Sequence, residues 1–303
     1  MKTGSDYHEP VLLQDCVDAL RIRPDGTYVD VTFGGGGHSR AILERLGPAG
    51  SLIAFDRDRD AWANAPKDLR FTLVKADFRW LKNHLRFLGK LPVDGLLADL
   101  GVSSHQFDTG KRGFSFRFEG PLDMRMDHRA RTSAADLVNR YDEERLAGLL
   151  RMYGEVDGAM RVARVITAAR TLRRITTTQD LIAALRPVTP RKDANSFLAQ
   201  VFQALRIAVN DELGALEALL RQSAEVIRPG GRLVVMSYHS LEDRLVKNWM
   251  RAGDLSGEER KDLYGNRLRP FDPDSNKATQ PTLDETARNP RARSARLRAA
   301  TRT

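Results

Sequence analysis

Four consecutive glycines, at residues 34–37, directly follow a β-branched and aromatic stretch at residues 27–33. Beyond them, Ala41, Ile42 and Leu46 recur with the spacing of one face of a helix. The pattern predicts a strand, a tight turn and a helix. Glycines allow positive φ values and leave no Cβ between the chain and a ligand, and the first N–H groups of the helix point towards the turn. We therefore interpret this stretch as a binding turn in an α/β domain, in preference to a Gly-rich surface hairpin.

Neither of two familiar glycine motifs is complete in this turn. A phosphate-binding P-loop needs Gly-Lys followed by Ser or Thr, and no lysine follows these glycines. The dinucleotide fingerprint needs glycines at positions one, three and six, but the sixth position counted from Gly34 is Ser39. The turn alone therefore leaves the nature of the ligand open.

The next three predicted strands each end in an acid: Asp56, Asp77 and Asp99. Ligands of open α/β sheets bind at the carboxyl ends of the strands. Asp56 lies 22 residues after Gly34 (56 − 34 = 22), close to the spacing at which an acid meets a ribose hydroxyl pair. Three acids suit a nucleoside with a positive centre, such as S-adenosylmethionine, better than a pyrophosphate.

The alternation of strands and helices stops near residue 103 and resumes after residue 207. Between these points no convincing strand is found, and apolar residues recur at helical spacing. The sequence thus predicts one discontinuous α/β domain, residues 1–103 and 208–303, with a parallel sheet. A helical domain, residues 104–207, is inserted into it.

The charge of the chain is unevenly distributed. The net charge is +9, and residues 104–207 carry 18 Lys/Arg against 12 Asp/Glu, which is +6 of that surplus. Residues 286–303 add six arginines and no acid. A surplus of this kind favours a polyanionic partner such as RNA. For the C-terminal stretch, a disordered basic tail is the alternative to contact with an RNA backbone.

Aromatic and basic residues are interleaved in residues 111–118. Phe114, Phe116 and Phe118, with Arg112 and Arg117, suit stacking on splayed bases and contact with phosphates. The same alternation is equally typical of a loop whose phenylalanines anchor it to the core.

Cysteine content and hydropathy exclude several classes of protein. Cys16 is the only cysteine, which excludes structural disulfides and multi-cysteine metal sites, and we expect no metal. No apolar run approaches the length of a membrane span. A cytoplasmic protein with no membrane partner is expected, and the sequence leaves its oligomeric state open, a homodimer included.

Several longer motifs resemble the bacterial 16S ribosomal RNA cytosine-N4 methyltransferase H family of the MraW type. They are GGGGHS at 34–39, DLGVSS at 99–104, RGFSF at 112–116, PLDMRMD at 121–127, residues 202–213, HSLEDR at 239–244 and NPRARS at 289–294. The resemblance spans nearly the whole chain. It implies a Rossmann-like methyltransferase sheet that uses S-adenosylmethionine, with an inserted all-helical domain for substrate recognition. The implied substrate is a cytidine in the decoding region of 16S rRNA, within the 30S subunit or a late assembly intermediate.

Carried over by position, the resemblance also implies a cofactor site. Gly36, Gly37 and His38 would line the methionine end. Asp56 would hold the ribose and Phe78 would lie beside the adenine. The remaining members of the implied site are Asp99 and Gln106.

The chemistry suggests a role for Asp99. A cytosine amine is a poor nucleophile because its lone pair is delocalised into the ring. In-line attack needs the amine held at about 3 Å from the methyl group, together with acceptors that favour rehybridisation at nitrogen. Asp99 is the candidate acceptor. Residues 100–102 supply no stacking aromatic, so a phenylalanine of residues 111–118, Tyr238 or His239 is left for that role. The predicted RNA contacts are Arg112, Phe114, Phe116, Arg117, His239, Arg291 and Arg293.

Two other functions fit parts of the pattern. A nicotinamide-dependent oxidoreductase would use a similar sheet, but Ser39 at the sixth glycine position argues against it. An RNA-binding protein with a vestigial cofactor pocket is the other alternative, and the intact glycines and strand-end acids argue against it.

Overall fold

The computed structural model describes residues 10–303 and contains two compact units. The sheet unit comprises the chain up to Gly101 together with Leu213–Thr303. The second unit, Val102–Glu212, is here called the helical insert. Among the described residues, no helix is both long and apolar enough to cross a membrane.

A seven-stranded sheet forms the centre of the sheet unit. Its strands are β1 Thr27–Asp30, β2 Ser51–Phe55, β3 Phe71–Val74, β4 Val93–Asp99, β5 Ile227–Ser237, β6 Phe271–Pro273 and β7 Arg296–Arg302. Their order is β3-β2-β1-β4-β5-β7-β6. Strands β1 to β5 pair in parallel, whereas β7 pairs antiparallel with both β5 and β6. The predicted α/β class with a parallel sheet is confirmed.

Helices follow the strands as the apolar spacing predicts. They are α1 Leu13–Ala19, α2 Gly37–Arg45, α3 Leu81–Phe87, α4 Ser104–Asp108, α5 Ala134–Arg140, α6 Glu143–Gly154, α7 Ala159–Leu172, α8 Thr178–Leu185, α9 Ala194–Asn210, α10 Glu212–Val226, α11 Ser240–Ala252 and α12 Leu283–Arg288. A 3₁₀-helix, Arg59–Asn64, lies between β2 and β3. Residues 229–231 form an irregularity inside β5, where the pairing with β4 jumps from Ile227 to Arg232.

Alternate residues of the strands point to opposite faces of the sheet. Tyr28 and Leu52 face helices α1 and α2, with Cys16 and Ile42 in the same apolar cluster. Their sequence neighbours pack on the other face against α3, α10 and α11. Because both faces are covered by helices, the parallel strands are apolar throughout, as in β2, which is buried along its whole length.

The helical insert has its own apolar core, built from α5 to α9 and the segment before them. Its helices begin where the sequence predicts caps. Ser133 and Thr177 each form a capping box with the aspartate three residues on, and Asp142 caps α6. Helix α7 has no side-chain cap within the described residues, and Gly158, with a φ of 65°, precedes it.

The arginine-rich C-terminal stretch is part of the sheet and is not a disordered tail. In β7, Leu297 and Ala300 are buried, while Arg298 donates from Nε to the Asp243 carboxylate at 2.7 Å. Arg302 donates to the carbonyl oxygen of Ala224 at 3.0 Å. These arginines are therefore tied to the surface of the sheet unit by protein partners.

Candidate functional site

The strand order reverses between β1 and β4, because the chain moves outward from β1 in one direction and later continues from β4 in the other. Such a switch point leaves a crevice at the carboxyl ends of the two strands, where ligands of open α/β sheets bind. Asp30 ends β1 and Asp99 ends β4. The candidate site is built around these two acids and the glycine turn.

The glycine turn brings backbone close to this crevice. Gly34 and Gly36 have positive φ values of 51° and 74°. A Cβ on Gly37 would lie 2.1 Å from Cγ of Pro10. Helix α2 begins at Gly37, and the first N–H groups of a helix have no partner within it. The absence of a Cβ at Gly37 thus allows the close packing of Pro10, and the start of α2 offers backbone donors beside the strand ends.

Asp56, the first residue after β2, holds the glycine turn. Its Oδ2 accepts from the backbone N–H of Gly34 at 2.8 Å, and its Oδ1 accepts from that of Asp58 at 2.7 Å. Burial raises the pKa of the Asp56 carboxyl to about 6, although both hydrogen bonds lower it. Each oxygen keeps a second lone pair with which to accept from a ligand hydroxyl.

Asp99 lies at the centre of the site. Its Oδ1 accepts from the Tyr238 hydroxyl at 2.9 Å, and its Oδ2 lies 3.6 Å from Nδ1 of His38. Its backbone N–H donates to Oγ1 of Thr32 at 2.6 Å, which ties the end of β4 to the end of β1. Burial raises the pKa of the Asp99 carboxyl to about 6, whereas His38 and the Tyr238 hydrogen bond lower it.

Asp30 is a further buried acid that the sequence analysis did not single out. Its Oδ2 accepts from the Ser39 hydroxyl at 2.7 Å, and its Oδ1 accepts from the N–H of Thr32 at 3.1 Å. Burial raises the pKa of its carboxyl, and the bond from Ser39 lowers it. The sequence feature that could have identified Asp30 is an acid inside an apolar strand that runs directly into the glycine turn.

His38 presents the strongest sign of a polar ligand. It lies in the first turn of α2 with its side chain 6% exposed. Among residues 10–303, its Nε2 is buried and has no hydrogen-bond partner. A buried polar atom of this kind is costly unless something supplies its hydrogen bond. A ligand at the glycine turn would do so.

The two remaining predicted cofactor residues lie on different units, Phe78 on the sheet unit and Gln106 on the helical insert. Phe78 is half-buried in the 3₁₀ turn Phe78–Trp80 after β3, a turn that Asp77 caps by accepting from the N–H of Arg79 at 2.9 Å. Gln106 belongs to α4 of the helical insert, where its Oε1 accepts from the N–H of Ser103 at 3.0 Å. The sheet unit alone brings the glycine turn, His38, Asp56 and Asp99 together.

Three of the side chains predicted to contact RNA are packed within the helical insert. Arg112 is buried and donates from Nη2 to the carbonyl oxygen of Arg125 at 2.8 Å. Phe114 is buried, and Phe116 packs edge-on against Phe202 with ring centroids 5.7 Å apart. The anchoring interpretation of this loop therefore fits these three residues. Arg117 is exposed.

The other predicted RNA contacts lie on the sheet unit. His239 is the residue before α11 and caps it, since its Nδ1 accepts from the N–H of Glu242 at 3.4 Å. Its side chain is only 8% exposed. Arg291 and Arg293 are exposed in the 3₁₀ turn Pro290–Ser294. Of these three, only the arginines present their side chains to solvent.

The arrangement favours a ligand that carries hydroxyl groups and a positive charge. Asp30 provides a buried carboxylate, Asp56 and Asp99 provide partly buried ones, and the glycine turn provides backbone donors. No thiol or hydroxyl among these residues is paired with a histidine in the manner of an activated nucleophile. The site is thus suited to binding and orientation and to accepting a hydrogen bond.

Comparisons with known proteins agree over the full length of the chain. Residues 5–303 match the family model described as the MraW methylase family. The ribosomal RNA small subunit methyltransferase H of Parabacteroides distasonis is 54% identical, covering 98% of this chain and 97% of the relative. The protein of the same name from Cytophaga hutchinsonii is 54% identical, covering 98% and 99%. That from Amoebophilus asiaticus is 52% identical, covering 99% and 97%.

Proposed function

The chain belongs to the MraW methylase family, and we propose that it transfers a methyl group from S-adenosylmethionine to the N4 amine of a cytidine in the decoding region of 16S rRNA. Family membership makes it a methyltransferase with ribosomal RNA as its substrate. The observation that carries the site assignment is the grouping, at the switch point of the sheet, of Asp99, the glycine turn and the buried Nε2 of His38, which has no hydrogen-bond partner within residues 10–303.

The residues present fit S-adenosylmethionine. Asp56, with a free lone pair on each oxygen, suits the ribose hydroxyls. The buried Nε2 of His38, which no described residue pairs, and the turn at Gly36 and Gly37 suit the methionine end. We assign Phe78 to the adenine by its position in the family motifs, and Gln106 stays a predicted cofactor residue on the same ground. When bound, the cofactor supplies an electrophilic methyl group on a sulfonium.

Asp99 provides a hydrogen-bond acceptor for the N4 amine, which is a poor nucleophile on its own. Its Oδ1 is engaged by Tyr238, so Oδ2 is the oxygen left to accept from the N4 amine. As the amine nitrogen becomes positive, an ionised carboxylate fixed in a mostly buried site stabilises the developing charge. A carboxyl with a pKa of about 6 is ionised at pH 7.5 and is basic enough to take the proton that the nitrogen then loses.

We propose the 30S subunit or a late assembly intermediate as the substrate, with the helical insert as the recognition domain. Support comes from charge: the region 104–207 carries +6 (18 − 12). Arg117 is the exposed member of the predicted contacts in the insert. Arg291 and Arg293 add exposed cations on the sheet unit.

The test is methylation with a labelled cofactor followed by nucleoside analysis. 30S subunits and protein-free 16S rRNA from a strain lacking this activity are incubated with the protein, and the digested nucleosides are identified by mass spectrometry. We expect N4-methylcytidine, with more label in 30S than in free rRNA. Subunits from a methylating strain serve as the control and should accept no label. Label in another nucleoside, or none, would contradict the proposal.

A further inference from the structure

Tyr238 contacts Asp99 across the central strands of the sheet. Asp99 at the end of β4 is paired with Met236 of β5, and Tyr238 follows two residues later, just beyond β5. Its hydroxyl donates to Oδ1 of Asp99 at 2.9 Å. Its ring lies beside Gly101, where an added Cβ would come to 3.4 Å from Cδ2 of the ring.

Tyr238 is held in place by hydrogen bonds at its hydroxyl and at its backbone N–H. Its backbone N–H donates to Oε2 of Glu242 at 3.0 Å, in the first turn of α11. Burial and the negative charge of Asp99 raise the pKa of the Tyr238 phenol well above its ordinary value. The phenol therefore stays protonated at any working pH and is a permanent hydrogen-bond donor to the carboxylate.

We propose that Tyr238 is a positioning residue for methyl transfer: its hydroxyl holds Oδ1 of Asp99 and leaves Oδ2, on the side of the carboxylate that faces His38, to accept from the ligand. This inference rests on the proposed function, because it takes Asp99 as part of the site. It differs from a stacking role, since the phenol hydroxyl is committed to the carboxylate. The effect of Tyr238 is exerted through Asp99.

Other charged and titratable groups also act on Asp99. His38 on α2 lies 3.6 Å from Oδ2 and favours the ionised carboxylate. Asp30 at the end of β1 and Glu242 on α11 oppose ionisation. Cys16 on α1 is buried, and its thiol pKa is raised by burial and by Asp99. Against this background, Tyr238 supplies a neutral donor that stabilises the ionised form.

The first test is Tyr238→Phe, which keeps the ring and removes the hydroxyl. The titration of the Asp99 carboxyl carbon is followed by ¹³C NMR without cofactor or RNA, with the signal assigned from its absence in Asp99→Asn. A hydrogen bond to a charged group is worth roughly one pKa unit or more, so the midpoint should rise by about one pH unit. The acid limb of the single-turnover rate should move upward by the same amount, and the plateau should fall about tenfold.

Tyr28→Phe is the matched control. Tyr28 is a buried tyrosine of the same sheet whose hydroxyl accepts from the N–H of Arg23 at 2.8 Å. Its loss should lower thermal stability and leave both the Asp99 titration and the rate profile unchanged. An unchanged Asp99 titration in Tyr238→Phe, or an equal shift in Tyr28→Phe, would overturn the proposal.

A measurement on the parent protein covers the case in which Tyr238→Phe does not fold. The ¹³Cζ signal of Tyr238 should show an inflection at the pH where Asp99 titrates, because the hydroxyl loses its charged acceptor there. The inflection should disappear in Asp99→Asn, and its absence from the parent would overturn the proposal. Failure of the parent to methylate RNA would contradict the proposed function, while these titrations would still decide the role of Tyr238.

Discussion

The backbone N–H of Gly34 donates to Oδ2 of Asp56 at 2.8 Å, so the acid that ends β2 holds the turn that follows β1. The 22-residue separation that suggests a ribose-binding acid thus has a second consequence, because the same carboxylate shapes the turn. Its other oxygen accepts from Asp58, and burial keeps its pKa near 6. Cofactor binding and turn geometry are therefore linked through one side chain.

We predict that Asp56→Ala weakens S-adenosylmethionine binding by roughly ten- to a hundredfold, since a hydrogen bond to a charged group is worth about 1.5–3 kcal/mol. Calorimetric titration measures the affinity, and circular dichroism checks that the fold survives. Asp68→Ala removes an aspartate that pairs with Arg70 before β3, at the other end of the sheet, and should bind the cofactor like the parent. Unchanged affinity in Asp56→Ala would remove Asp56 from the site.

Local features of the fold were predictable from the sequence because they depend on neighbouring residues. The strand, turn and helix around Gly34 follow from periodicity, and the capping boxes at Ser133 and Thr177 follow from a three-residue spacing. Asp30 was missed because its role arises from contacts with Thr32 and Ser39 that only the folded turn creates.

Other features could not be predicted because residue type alone does not reveal which side chains are buried. The alternation of residues 112–117 fits either stacking on bases or anchoring, and only burial separates the two. In β7, the six arginines of the C-terminal region obscured a strand that packs on both faces: Leu297 lies in the apolar cluster with α1 and α2, and Ala300 lies in the cluster on the opposite face. Pairing with β5 comes from a distant part of the chain, so no local signal indicates that this strand lies inside the sheet.

Substitutions in β7 test whether the C-terminal residues are packed as part of the sheet. Leu297 is 4% exposed and packs in the cluster shared with α1 and α2, so Leu297→Ala should destabilise the sheet unit by about 2–5 kcal/mol. Arg296→Ala, at the exposed neighbouring position, should cost less than about 1 kcal/mol. Urea unfolding followed by tryptophan fluorescence reports on this unit. Equal stability of the two variants would indicate that the C-terminal residues do not stabilise the sheet unit.

Charge reversal separates the two arginines of the 112–117 loop. Arg117→Glu should weaken RNA binding and reduce the dependence of log affinity on log salt by about one, because one fewer counterion is released. Arg112→Glu should instead unfold the local structure, since its buried guanidinium donates to the carbonyl oxygens of Arg125 and Met126. Filter binding across salt concentrations and hydrogen exchange measure the two effects. Equal salt slopes for Arg117→Glu and the parent would assign Arg117 to solvent.

Asp99 should reduce stability at neutral pH. Its folded-state pKa of about 6 exceeds the ordinary value of 3.8, so the folded state binds the proton more tightly. This contribution favours folding fully below about pH 3.8 and is lost as the pH rises through 6. The difference of about two pKa units corresponds to roughly 3 kcal/mol. Asp99→Asn cannot ionise, so its stability relative to the parent should increase by up to about 3 kcal/mol between pH 4 and pH 8.

Urea unfolding at both pH values measures this difference. The three tryptophans, Trp62, Trp80 and Trp249, all belong to the sheet unit, so their fluorescence follows the unit that contains Asp99. Asp68→Asn serves as the contrast, because the bond from Arg70 lowers the pKa of Asp68 to about 2, so Asp68 stays ionised across this range and its replacement should give almost no pH dependence between pH 4 and pH 8. A parallel pH dependence of parent and Asp99→Asn would show that Asp99 titrates normally.

The same substitution separates the two roles proposed for Asp99 in catalysis. Asp99→Asn keeps the size of the side chain and an oxygen that can accept from Tyr238, but it removes the charge. If Asp99 only pairs with the ammonium of the cofactor, affinity falls and saturating cofactor restores turnover. If Oδ2 stabilises charge on the target amine, the rate constant falls even at saturation, by about 10²–10³, as for the loss of one preorganised stabilising group. We expect both losses, with the larger in methyl transfer, because Oδ2 is the carboxylate oxygen left free by Tyr238. Single-turnover transfer of labelled methyl groups to undermethylated 30S subunits at saturating cofactor measures the chemical step, and a parent-like rate there would exclude the chemical role whatever happened to binding.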